Sequence, residues 1–271
     1  MTWSDNALRP VHIKFWTHSP FSVSVLQVSE SVVTMLPTQT QLAGCTGWGI
    51  IGSDVEGIPR EIEDECSVSL MLLRLPGTRV SSFSPKLGAD FTETMSPEQR
   101  RIVWSRLTRT PVDSPDAMNA MMLSAGDQAL LAEFEDLFPT GMKVGGFVSG
   151  SRNKKKYVLG GGQVRSSGSS FLTFSGRAKL NVVVVGHKQV EQSLASLPQG
   201  RSNLAGFLFS CVGRGSGYHG KGNVEADAFR KAFPGLPLIG FFTGGELGPE
   251  EGGTTLTRYS YTSIFCVLST E

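Results

Sequence analysis

Residues 213–223 read GRGSGYHGKGN, set between the apolar run LAGFLFSCV (204–212) and the amphipathic stretch NVEADAFRKAF (223–233). A glycine loop that joins a strand to a helix turns backbone N–H groups toward one point, where an anion can bind. Gly215, Gly220 and Lys221 match the opening of a P-loop, and Gly215, Gly217 and Gly220 spell G-x-G-x-x-G. Both nucleotide readings fail on chemistry. Gly222 stands where a hydroxyl should ligate magnesium, and NVVVVGHK (181–188) ends in His and Lys rather than in an acidic second ligand. Lys221, Gly222 and Asn223 also separate the third glycine from the helix it should enter. The loop therefore reads as the turn of a β-α-β unit with strand 206–212, helix 224–233 and strand 237–242. Asn223 suits the N-cap, and Glu225 and Asp227 fall in the positive first turn.

The end of this unit is echoed twice. VVTMLPTQTQLAGCTGWG (32–49), FEDLFPTGMKVGGFVSG (134–150) and FRKAFPGLPLIGFFTGG (229–245) share one plan. A helical stretch closes on an apolar residue and Pro37, Pro139 or Pro234. A strand-like run then ends at Gly44, Gly145 or Gly240, with a further glycine at Gly49, Gly150 or Gly245. Gly52 and Gly248 extend the match between the first and third copies. A spacing of roughly one hundred residues is too long for a solenoid repeat and points to duplication of a larger unit. Further strands are expected at 11–16, 68–75, 156–164, 170–175, 181–186 and 261–268, and helices at 20–36, 127–138 and 189–197. The expected fold is mixed α/β (α+β): two lobes of mixed β-sheets flanked by helices, with an internally repeated β-α-β-like unit.

The totals narrow the function. The chain has 271 residues, 39% hydrophobic and 18% charged, with a net charge of +1. No overall field attracts nucleic acid or an anionic membrane. The basic run in SRNKKKYVLGGG (151–162) lacks stacking aromatics and reads as a solvated turn. The longest apolar run, LMLL within 68–75, is too short to cross a bilayer, and MTWSDNALRP has no apolar leader. Cys45, Cys66, Cys211 and Cys266 stand apart, so a disulfide framework or cysteine zinc site is not expected, and the cytoplasm or nucleus is. His12, His18 and His187 form no ligand pattern, and no metal or cofactor is expected. Cys211, with Arg214 to favour a thiolate, His219 as base and Glu246 to orient it, has the makings of a nucleophile. A cysteine inside FLFSCV is also an ordinary buried residue. Trp48, between two glycines, suits a pocket wall or a core edge. Arg214 and Glu246 should share the edge formed by strand C-terminal ends, where Arg214 pairs either with a ligand carboxylate or with Glu246.

One resemblance covers nearly the whole chain. Phe209, Ser210, Cys211, Gly213, Arg214 and Gly215, followed by Pro237, Gly240, Phe241, Phe242, Gly245, Glu246, Leu247, Gly248 and Pro249, resemble the C-terminal signature of the FIST family. LAGCTGWGIIG, EIEDECSVSLMLLRLPGTRVSSF and DLFPTGMKVGGFVSG are similar to its N-terminal half. The resemblance implies a FIST N-like part over 1–176 and a FIST C-like part over 177–271, without catalysis. It implies recognition of a protein substrate for an SCF ubiquitin ligase, as in an F-box-bearing relative, or sensing of a small carboxylate-bearing ligand, amino-acid-like, as in bacterial members. Candidate binding residues are Arg214, Glu246, Cys211, Gly213, Gly215, Gly244, Gly245, His219 and Trp48. Gly244 replaces the family's usual Asn. Nothing before Val11 has the length of a three-helix F-box, so docking to a cullin ligase is expected only with an added N-terminal F-box.

Overall fold

A computed structural model describes residues 10–16, 34–37, 40–54, 56–63, 67–86, 88–114, 117–148, 156–186 and 190–270. Most of the helix expected over 20–36, the basic run 151–155, and Gly150, His18, His187 and Cys66 lie outside them. The chain is mixed α/β, as its repeats implied. The first unit comprises β1 (Pro10–Trp16), β2 (Gln41–Thr46), β3 (Gly49–Ser53), β4 (Pro59–Glu63), β5 (Val68–Arg74) and β6 (Thr78–Phe83). After helix α1 (Pro97–Thr108) the second has β7 (Asn119–Ser124), α2 (Gln128–Leu137), β8 (Lys143–Phe147), β9 (Val158–Gly160), β10 (Gln163–Arg165), β11 (Ser169–Gly176) and β12 (Ala178–Val185). After α3 (Val190–Ala195) the third has β13 (Asn203–Cys211), α4 (Ser216–His219), α5 (Val224–Ala232), β14 (Leu238–Thr243), β15 (Glu246–Pro249), β16 (Leu256–Tyr259) and β17 (Ser263–Thr270).

The three units follow one wiring rule. Each opens with a parallel pair: β1 with β2, β7 with β8, and β13 with β14. Each then sends a hairpin to another unit's sheet. β3–β4 joins β14, β9–β10 joins β2, and β15–β16 joins β8. The next strand returns antiparallel to the first strand of its own unit: β5 to β1, β11 to β7 and β17 to β13. The exchange is cyclic: each sheet pairs the strands of one unit with the hairpin of another, two of the three sheets add one strand (β6 or β12) from the remaining unit, and hairpins cross residue 176/177 in both directions.

The repeated residues have physical reasons. Gly240 and Gly145 lie opposite Leu208 and Met122 of the parallel partner strands. A Cβ there would sit 1.8 and 1.9 Å from those residues' carbonyl oxygens. Only glycine permits the approach. Before Pro139 and Pro234, Phe138 and Phe233 leave helical geometry, as a residue preceding proline must, and each N–H still closes on the carbonyl of Phe134 or Phe229.

The inner faces of the sheets meet in one core, where Cys45, Met71, Leu123, Phe174, Phe209, Phe241 and Cys266 pack together. Outside, α3 and α5 cover the third unit's sheet with Leu194 and Phe229. Trp104 of α1 and Phe134 of α2 do the same for the second, against Phe171. No helix among the described residues is long and apolar enough to cross a membrane.

Candidate functional site

The C-terminal ends of β13 and β14 lie side by side, with Cys211 opposite Thr243. Beyond Cys211 the chain makes one turn of 3-10 helix over Val212–Arg214, then the short α4, then α5. The glycine loop does bind an anion, and the anion is the protein's own. Glu63, at the end of the incoming hairpin, accepts the Ser216 N–H at 2.7 Å. A Cβ on Gly215 would fall 2.0 Å from its Oε2. Glu61 accepts the Ala226 N–H, in the first turn of α5, at 2.7 Å. Asn223 occupies the N-cap position but does not cap its own helix. Its φ is 63°, and its Oδ1 instead accepts the Glu61 N–H at 2.7 Å.

Beneath the loop lies a buried ionic network. Arg214 is fully buried. Its Nε and Nη2 lie 2.8 Å from Oε1 of Glu225, and Nη1 donates to the carbonyls of Gly186 at 2.8 Å and Tyr261 at 3.3 Å. The guanidinium lies over the Tyr218 ring, 5.2 Å from its centroid. His219 Nε2 is 3.4 Å from the same carboxylate oxygen, and Ser263 donates to the other at 2.7 Å. Burial penalises a charge on Glu225, but His219, the Arg214 charge and Ser263 outweigh it and hold the carboxyl below its usual range.

The expected Arg214–Glu246 pair is not made. Helix α5 presents Glu225 directly to Arg214, while Glu246 finds neutral donors. Thr243 Oγ1 reaches its Oε1 at 2.8 Å, and Thr262 gives its Oγ1 at 2.8 Å and its N–H at 3.2 Å to Oε2. Burial pushes the Glu246 carboxyl up despite those bonds. Cys211 lies beside Glu246, and burial, reinforced by that negative charge, raises its thiol. Arg214 and His219 both turn to Glu225, so the expected Cys211–Arg214–His219 grouping does not assemble. Yet the two networks share an edge, because consecutive residues serve both: the Tyr261 carbonyl and the Ser263 hydroxyl join the first, and Thr262 the second.

What this edge offers to solvent is apolar and aromatic. Tyr261 is 63% exposed, Trp48 42%, Val212 38% and Tyr218 37%. Gly213 and Gly244 are exposed, whereas Gly215 and Gly245 are buried. The strand order β17-β13-β14-β3 sets Tyr261, Val212 and Trp48 along one sheet end. At about 4.8 Å per strand the row is roughly 15 Å long. A Cβ on Gly213 would lie 3.0 Å from the Tyr261 ring, so glycine there keeps the ring in place. Tyr218, Tyr261, Glu61 and Glu63 escaped the reading of the sequence, and Glu225 was read there only as a residue of the helix's first turn. Only the alternation Glu61–Ile62–Glu63 hinted that two carboxylates share one face of a strand.

Residues 120–249 match the FIST C domain. The chain is 30% identical over 251 residues to F-box only protein 22 of Homo sapiens and of Pongo abelii, an alignment covering 82% of this chain and 59% of theirs. The chain therefore spans well under two thirds of the length of these curated relatives. An uncharacterized protein of Mycobacterium tuberculosis is 39% identical over 71 residues, 26% of this chain and 18% of that one. With the domain match, the similarity along most of its length and the strand-turn-helix signature at 206–249, the chain is a FIST-domain protein.

Proposed function

We propose that this chain is a non-catalytic recognition module that binds a protein partner through the edge carrying Trp48, Val212, Tyr218 and Tyr261. Its role is selection of a substrate for ubiquitin-dependent degradation, in the cytoplasm or nucleus. The observation that carries this reading is the contrast between the two layers of the edge. Arg214 and Glu225 are buried and paired with each other and Glu246 is buried on two threonines, while Trp48, Val212, Tyr218 and Tyr261 face solvent. Arg214, committed to Glu225 and two carbonyls, is a scaffold for the surface rather than a clamp for a small carboxylate. Tyr and Trp on a rigid frame supply contact area at low entropic cost. The similarity to F-box only protein 22 favours the degradation role over small-ligand sensing.

Photo-crosslinking from position 261, and separately from position 48, tests the reading. Both positions should capture the same protein in cells. Capture should fail in a Tyr218→Ala, Tyr261→Ala double variant that melts like the parent chain, and the captured protein should accumulate when that variant replaces the wild type. Capture of unrelated proteins from the two positions refutes it.

A further inference from the structure

Every unit of this fold closes with an antiparallel strand, and two of the three closing strands carry another on their far side. β11 carries β6, the strand that follows β5 in the first unit. β17 carries β12, the strand that follows β11 in the second. Both added strands are antiparallel. In the corresponding place β5 carries no strand among the described residues: the sheet order is β10-β9-β2-β1-β5, and it ends there.

The chemistry of β5 marks this edge as one built for pairing. Native edge strands are ordinarily blunted by Lys, Pro, a bulge or shortness. β5 reads VSLMLLR over seven residues, contains neither Lys nor Pro, and pairs with β1 without a register break from Arg74 to Val68. Met71 and Leu73 point into the central core. The alternate residues Val68, Leu70 and Leu72 are 49, 42 and 60% exposed. Arg74 is also exposed and forms no ion pair among the described residues.

We propose that the far edge of β5 takes an extended segment of a protein partner as a sixth, antiparallel strand. Main-chain hydrogen bonds hold it, as they hold β6 and β12 at the equivalent places. Specificity comes from apolar side chains at alternate positions, set beside Val68, Leu70 and Leu72, and from an acidic side chain opposite Arg74. The valine-rich β12, AKLNVVVV, shows the composition such a place accepts. This assignment stands on sheet topology and does not depend on the aromatic edge of the third unit.

A displayed library of short peptides with apolar residues at alternate positions is the probe. Peptides selected on the wild-type chain should slow amide exchange across residues 68–74 and lose at least about tenfold in affinity for a Leu70→Lys, Leu72→Lys variant. That variant should melt like the wild type, because both side chains face solvent. Three outcomes overturn the proposal. Amides of β5 in the free chain that exchange as slowly as those of β1 mean that the chain already covers its own edge. Peptides that bind without protecting 68–74 use another site. A dimer that the lysine variant abolishes makes a second copy the occupant.

Discussion

Glu63 of the first repeat accepts the Ser216 N–H of the third at 2.7 Å, in the space that a Gly215 side chain would need. The phosphate-like cradle is thus occupied from within, by a carboxylate on a hairpin exchanged between units. Gly215 has an ordinary φ of −69°, so its requirement for glycine comes from Glu63 and not from backbone strain. Gly215→Ala should cost about 1 kcal/mol, the worth of a displaced hydrogen bond. In a Glu63→Ala background the same change should cost far less. Denaturant titration of the four proteins in this cycle measures the coupling, and simple additivity would refute it. MgATP should leave the melting temperature unchanged.

Removing one partner of the Arg214–Glu225 pair leaves the other charge buried alone. Arg214→Ala or Glu225→Gln should destabilise the chain by about 3–5 kcal/mol. Arg214→Lys should rescue little, since an ammonium cannot serve Glu225, the Gly186 carbonyl and the Tyr261 carbonyl in one plane. Because the folded-state pKa of Glu225 is depressed, its stabilisation is present above its ordinary value of 4.5 and fades as pH falls through the folded value. Wild-type and Glu225→Gln stabilities should therefore converge in acid. Parallel curves would show that the pairing contributes nothing.

The fold was legible where a residue's role is local. Pro139, Pro234, Gly145 and Gly240 mark a helix end and a strand approach that any copy of the unit must contain, so repetition exposed them. The exchange of hairpins was not legible, because β3–β4 and β15–β16 look like hairpins whichever sheet receives them. The same gap misassigned the partner of Arg214. Spacing placed Arg214 and Glu246 on one edge correctly, but it could not show that Thr243 and Thr262 would satisfy Glu246. Glu225, read from its position as a helix-dipole residue, faces inward beneath the loop.

Glycines of the two kinds should respond to the same substitution with very different losses. Gly240→Ala drives a methyl group into the Leu208 carbonyl, a backbone atom in a central parallel strand that cannot yield cheaply. The loss should reach about 3 kcal/mol or more. Gly217 and Gly222 have nothing within 4 Å of a Cβ, and alanine at either should change stability by no more than about 0.5 kcal/mol. Melting curves of the three variants separate a glycine kept for packing from one that merely fills a loop. A tolerated Gly240→Ala would contradict the strand approach described above.

Glu61 gives the interface between repeats a pH dependence of the opposite sign to that of Glu225. Burial raises its carboxyl from 4.5 to about 7, and the nearby Glu225 charge adds to the rise. The Ala226 and Glu225 N–H groups and, least of the three, His219 oppose it. Between those two values the folded chain keeps a proton that the unfolded chain releases, so stability falls as pH rises through this window and levels off above about 7. Glu61→Gln retains an oxygen to accept the Ala226 N–H and removes the charge. It should match the wild type near pH 4.5 and exceed it above about pH 7, by of the order of 1–3 kcal/mol. Because Arg214, His219 and Glu225 lie in the same cluster, the informative quantity is the difference between the two proteins in denaturant titrations across that range. A difference that stays constant with pH would place the Glu61 carboxylate in water, and the repeat interface would then not sense pH through it.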